Sequence, residues 1–187
     1  MRFLPVTCFF ILTLLACKGP EPRKPIEVKT GSFFKESVAR NKVLLEKEEA
    51  QIKEIIAKDT THQYQNSASG FWYYYDIENP TQPYTPQTDD QVLFSFDLRT
   101  FANDTLYTSK EKGLISYKVD KEQLFPGLQN AIKLLRINEK ATFLFPSSQA
   151  YGYVGDGERI GPKMPLISTV ELHTIIIEED SLNSKTE

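Results

Sequence analysis

Residues 124–152, LFPGLQNAIKLLRINEKATFLFPSSQAYG, constrain this chain more than any other stretch. Pro126 suits the first turn of a helix, because the N–H it lacks would have had no intrahelical partner there. Leu128, Ile132 and Leu135 recur at helical spacing and form one apolar stripe. Residues 140–145 then alternate as a strand does, and the following loop sets Tyr151 beside Gly152. A short helix and an adjoining strand, each with one apolar face, must share a core. Tyr151 lies off the alternating face, which leaves its phenol available to a pocket at the edge of that core.

The flanking segments supply more strands. Residues 71–77 (FWYYYDI) are bordered by turn residues, and residues 91–101 (QVLFSFDLRTF) put Val92, Phe94 and Phe96 on one face. Asn103 and Asp104 turn that strand into residues 105–109, residues 116–120 form another short strand, and residues 168–177 (STVELHTIII) form a last, long one. Upstream, residues 32–66 are expected to be largely helical. Residues 32–65 contain neither glycine nor proline, and Phe34, Val38, Leu45, Ile52 and Ile56 recur at spacings of four and seven. Asn41, Glu48 and Glu49 interrupt the stripe, so the helix is expected to pack on the domain or pair weakly with a second copy rather than build a long coiled coil. The expected fold is α+β: an antiparallel sheet of about five strands curled around one short helix, with an extra N-terminal helix.

The N-terminus reads as a targeting segment. Arg2 precedes an apolar run from Val6 to Ala16 that is too short to span a bilayer. Residues 14–17, LLAC, resemble the lipobox of bacterial lipoproteins. That resemblance implies a signal peptide over 1–16, acylation of Cys17, and a lipid-anchored tether over 17–31. The other reading is an ordinary secretory signal cut near Ala16. The tether contains KGPEPRKP, whose three prolines favour extended backbone. The cysteines are Cys8 and Cys17, so no disulfide or thiol nucleophile is expected within the folded part. Residues 179–187 read as a polar tail.

Composition excludes some classes of function. The chain has 187 residues, of which 40% are hydrophobic and 12% aromatic, enough for one core of about 100 residues. Its net charge is −3 with both signs interspersed, so no basic patch is offered to nucleic acid. His62 and His173 have no ligand spacing, and no metal site is expected. The glycine-rich run 152–157 lacks the Lys–Ser pair and following helix of a phosphate loop.

The order VLFSFDLRT, LFPGLQNAI, FLFPSSQAYG, IGPKMPLISTVEL resembles the FKBP-type peptidyl-prolyl isomerase domain over residues 70–178. The lipobox, the charged helix and the FPGL and AYGY motifs are further similar to the gliding-motility-associated isomerase lipoproteins of gliding bacteria. The resemblance implies an apolar cup of Phe96, Tyr117, Leu124, Phe125, Leu128 and Ile160. Tyr151 would donate its hydroxyl hydrogen to one substrate carbonyl, and the Phe125 N–H would hold another. Leu106, Tyr107 and Ile115 fall on further wall positions. Tyr151, Phe125 and Phe96 would be the catalytic set, acting without cofactor or metal. The sequence departs from the family pattern at four places: Phe96 stands for a tyrosine, Tyr107 for an aspartate, Leu128 for a frequent tryptophan, and Ser168 for an aromatic. The implied partners are proline-containing polypeptides, met in the cell envelope by a protein held on the membrane through its lipid. The alternatives are a non-catalytic module that binds proline peptides or a partner within an envelope complex, and a chaperone that holds unfolded chains.

Overall fold

The computed structural model describes residues 30–177, with side chains from Phe34 onward. The signal peptide, Cys17, all but the last two tether residues, and the polar tail lie outside the described residues; Thr30 and Gly31, expected in the tether, are helical. The chain divides into two units between Ser37 and Val38. Among the described residues the first unit contributes only the opening of helix α1 (Thr30–Lys58).

The second unit holds the sheet. Its strands are β1 (Gln65–Asn66), β2 (Trp72–Ile77), β3 (Gln91–Phe96), β4 (Leu98–Thr100), β5 (Thr105–Tyr107), β6 (Ile115–Lys118), β7 (Lys140–Phe145) and β8 (Leu166–Ile176). Two short helices, α2 (Ser109–Lys112) and α3 (Pro126–Ile132), and a 3-10 turn at Ser147–Gln149 complete it. The sheet order is β1-β2-β7-β8-β3-β6, with β4 paired to β5 and β8, and every pairing is antiparallel. This is the expected architecture with a higher strand count. Residues 91–101 do not run as one strand, because the chain kinks at Asp97 between β3 and β4. Asp97 Oδ1 accepts the Thr169 N–H at 2.7 Å, and the buried Ser168 hydroxyl donates to the Asp97 carbonyl at 2.7 Å.

Alternation along β7 divides the packing between two faces. Ala141, Phe143 and Phe145 join Leu128, Ala131 and Ile132 of α3 in the main core, with Phe71, Phe94, Leu166 and Val170. Leu144 points the other way and meets Ile167 and the fully buried Ile52 of α1, with Ile55, Ile56, Tyr64 and Trp72 around them. The α1 residues in this cluster, Ile52, Ile55 and Ile56, come from the C-terminal half of the helix. Phe34, Val38 and Val43 remain exposed.

The helix ends at Lys58, not at 66. Asp59 accepts hydrogen bonds from the Thr61 N–H (2.9 Å), the Thr61 hydroxyl (2.7 Å) and the Tyr64 hydroxyl (3.0 Å), and lies 2.8 Å from His62 Nδ1. Such local bonding offers the backbone an alternative to another helical turn. His62 in turn stacks on Tyr74, with ring centroids 4.0 Å apart.

Candidate active site

Phe125 is the N-cap of α3, in extended backbone, and Pro126 opens the helix. Gly127 comes next because nothing larger fits. A Cβ there would lie 2.5 Å from Phe145 Cδ1 and 2.6 Å from the Gln149 carbonyl oxygen. The first turn of α3 thereby rests directly on the end of β7 and on the 3-10 turn that leads to Tyr151. That contact brings residues from three elements around one cavity of about 520 Å³. Phe96 comes from β3, Leu124, Phe125 and Leu128 from the entry to α3, and Ser148, Ala150 and Tyr151 from the turn.

The cavity wall is apolar and aromatic. The Phe125 and Tyr151 rings stand 5.1 Å apart at 41°, and Phe125 meets Phe145 edge-on at 5.4 Å. Leu128 is wholly buried, and Phe96 nearly so. Two hydrogen-bond donors on this wall are unengaged among the described residues: the Tyr151 hydroxyl and the Phe125 amide. Burial, and secondarily the charge of Asp156, raises the Tyr151 phenol above its ordinary pKa. It therefore stays protonated, and a donor, at neutral pH.

The remaining candidates sit beside the cavity and not on its wall. Tyr117 is fully buried, stands edge-on to Phe94, and accepts the Asp120 N–H at 3.3 Å. Ile160 is a core residue, and Leu106 and Ile115 pack against that core. Tyr107 is buried at the end of β5, and its hydroxyl meets Asp156 and Glu158 in the loop that follows Tyr151. The structure thus brings Phe96, Leu124, Phe125, Leu128 and Tyr151 together, and places Tyr117, Ile160, Leu106, Ile115 and Tyr107 in the surrounding support.

Gly155 shapes that loop. Its φ is +74°, and a Cβ would run into the Ile160 carbonyl. Ile160 closes the loop by donating its N–H to Asp156 Oδ1 at 2.8 Å. Sequence reasoning missed Asp156 and Glu158 as partners of Tyr107. It also missed Gln123, Ser148 and Ala150 as lining, since none carries a periodic or motif signal of its own.

Residues 82–173 match the family model of the FKBP-type peptidyl-prolyl cis-trans isomerases. The fold is of the FKBP type. The chain is 32% identical over 137 residues to a probable FKBP-type peptidyl-prolyl cis-trans isomerase FkpA of Neisseria meningitidis serogroup B, an alignment covering 73% of this chain and 48% of that protein. The chain thus spans about half the length of this curated relative. Among solved structures, FkpA from Escherichia coli aligns with a TM-score of 0.57 at 21% identity, covering 94% of this chain and 82% of that one. A peptidyl-prolyl cis-trans isomerase from Pseudomonas syringae pv. tomato aligns with the same TM-score at 20% identity, covering 73% and 96%. Both share the FKBP-type fold with this chain.

Proposed function

We propose that this chain is a peptidyl-prolyl cis–trans isomerase acting on X–Pro bonds of exported or envelope polypeptides. The observation that carries the reading is the pair of unengaged donors, Tyr151 hydroxyl and Phe125 N–H, on one apolar cavity. Rotation about a peptide bond faces a barrier of about 18–20 kcal/mol because resonance gives the C–N bond double-bond character. The twisted transition state loses that resonance, and its carbonyl is less polar. An apolar cup formed by Phe96, Leu124, Phe125 and Leu128 favours it over the planar ground state, while the two donors hold the flanking carbonyls. No nucleophile is required by this chemistry.

The test is cis-to-trans relaxation of a short X–Pro peptide with the purified chain. Acceleration that falls on Tyr151→Phe and Phe125→Ala is the expected result. Relaxation at the buffer rate would sink the proposal.

One observation favours the non-catalytic alternative. The Tyr107 hydroxyl is committed to Asp156 and Glu158, so the family's carboxylate at this position is replaced by a phenol already in use. Binding of proline peptides without turnover would select that reading.

The site of action follows from the N-terminus. No helix among the described residues is long and apolar enough to cross a membrane; the support for attachment by acylation at Cys17 is the LLAC motif at residues 14–17. Cys17→Ala should release the protein from membranes, and label from radioactive fatty acid appearing in that variant would count against the lipobox. A role in gliding motility rests on the motif resemblance alone, and deletion followed by a motility assay tests it. Exposed Phe34, Val38 and Val43 on α1 support weak self-association, which sedimentation of Phe34→Glu against the parent chain would reveal.

A further inference from the structure

A second cavity, about 210 Å³, lies between α1 and the turn that carries Tyr151. Asn41, Leu44, Leu45 and Glu48 line it on one side, and Ser147, Ser148, Gly152, Tyr153 and Lys163 on the other. Glu48 is only 2% exposed, yet its carboxylate is half satisfied. Oε2 accepts the Ser147 N–H at 2.9 Å, whereas Oε1 meets no partner among the described residues. An acidic oxygen buried without a partner is costly in an apolar wall, and the group that best offsets it is a cation with its own hydrogen-bond donor. The cation already lining the cavity, Lys163, is placed over the Tyr153 ring, 5.0 Å from its centroid, and makes no ion pair with Glu48.

This cavity adjoins the proline site. Ser148 and Gly152 line both. A polypeptide seated on Phe96, Phe125 and Tyr151 therefore has a neighbouring side chain within reach of Glu48. Leu44, Leu45 and Tyr153 offer apolar surface to an aliphatic stem, and Glu48 Oε1 offers an acceptor to its charged end.

We propose that this cavity is a specificity subsite for a lysine or arginine side chain of the bound polypeptide, close in sequence to the proline, read by Glu48. The inference rests on the isomerase reading of the adjoining cavity and adds a substrate preference to it. It also links α1 to the site, since the oxygen that does not meet the substrate holds the amide of Ser147, the first residue of the turn leading to Tyr151.

The probe is a set of short peptides with lysine, arginine or norleucine at each of the positions flanking one X–Pro bond. Turnover and binding are both measured on the full chain. At one flanking position the basic peptides should exceed norleucine by about tenfold in kcat/KM, with the advantage shrinking as salt is raised. Glu48→Gln should abolish that advantage, read within the variant as the ratio of kcat/KM for basic and norleucine peptides. Should that variant fold poorly, Leu45→Lys supplies an internal cation to the same cavity and should remove the preference in a folded protein.

Equal turnover of basic and norleucine peptides at every position overturns the subsite and leaves the isomerase reading intact. Glu48-dependent binding of basic peptides without turnover supports the subsite and overturns the isomerase reading. A preference that persists in both variants, or that emerges only in Lys163→Ala, overturns the assignment, the latter making Lys163 the occupant. Absence of both turnover and binding overturns the two proposals together.

Discussion

The Tyr107 hydroxyl donates to Asp156 Oδ2 at 2.6 Å, joining the end of β5 to the loop beyond Tyr151. Glu158 Oε2 stands 3.1 Å from the same hydroxyl. Lys112 lies 3.9 Å and Arg159 4.6 Å from the ring centroid, so two cations sit against the ring whose hydroxyl faces two carboxylates. Arg159 reinforces the join by donating to the Leu106 carbonyl at 2.7 Å and pairing with Glu111. A phenol in this position acts as a clasp for the loop.

Tyr107→Phe opens that clasp without emptying its volume. The expected outcome is a lower Tm, faster amide exchange at Gly155, Asp156 and Ile160, and a smaller kcat/KM from a less firmly held Tyr151. Unchanged exchange in the loop would show that the other bonds suffice.

The same variant should alter the acid limb of stability. Burial pushes the Asp156 carboxyl up, but the Tyr107 hydroxyl and the N–H groups of Glu158 and Ile160 outweigh it and hold its pKa below the ordinary carboxylate value. A depressed folded-state pKa contributes stability that is present above the unfolded value and is lost as pH falls through the folded one. Removing the hydroxyl lets the folded pKa rise toward the unfolded value, so this contribution shrinks. Tm measured from neutral pH down through the carboxylate range should therefore converge for parent and variant at the acid end and differ most at neutral pH.

Tyr151→Phe should leave the fold intact and reduce kcat/KM by about five- to tenfold, the worth of one hydrogen bond of about 1 kcal/mol or slightly more. A loss confined to KM would indicate that the phenol binds the ground state and the transition state equally.

Gly127→Ala should destabilise by about 1–3 kcal/mol, because the added methyl overlaps Phe145 and the Gln149 carbonyl and must push α3 off β7. Chemical denaturation measures the loss. Peptide affinity should fall with it, since the same displacement parts Phe125 from Tyr151.

Much of this site was legible because residues 124–152 carry both periodicity and motif. The helix start at Pro126, the limits of β7 and the exposure of Tyr151 to a pocket all follow from local patterns. Tyr117 and Ile160 were harder to place. A pattern marks a residue as apolar and inward-facing but does not distinguish cavity wall from the core behind it. The break in β3 at Asp97 depends on bonds to Ser168 and Thr169, some seventy positions away, and no local signal announces such a partner. The helix was overextended because Asp59 satisfies Thr61 and Tyr64 through side-chain geometry that periodicity does not register. Glu48 did leave a trace: an acidic residue interrupting an apolar stripe, in a helix that proves to be buried there.

Ile52→Ala should cost about 2–5 kcal/mol, as expected for a fully buried aliphatic side chain, although it touches neither cavity. Thermal or denaturant unfolding would show it.

The position of Ile52 also bears on where the gene can be cut. The family match begins at residue 82, and a fragment starting there or at Gly70 would carry every residue of the proline cavity. It would nevertheless emerge with Leu144 and Ile167 bare to water, deprived of the only helix that shelters that side of the sheet among the described residues. Such a fragment is a recipe for inclusion bodies, whereas one beginning ahead of Val38 retains its own roof.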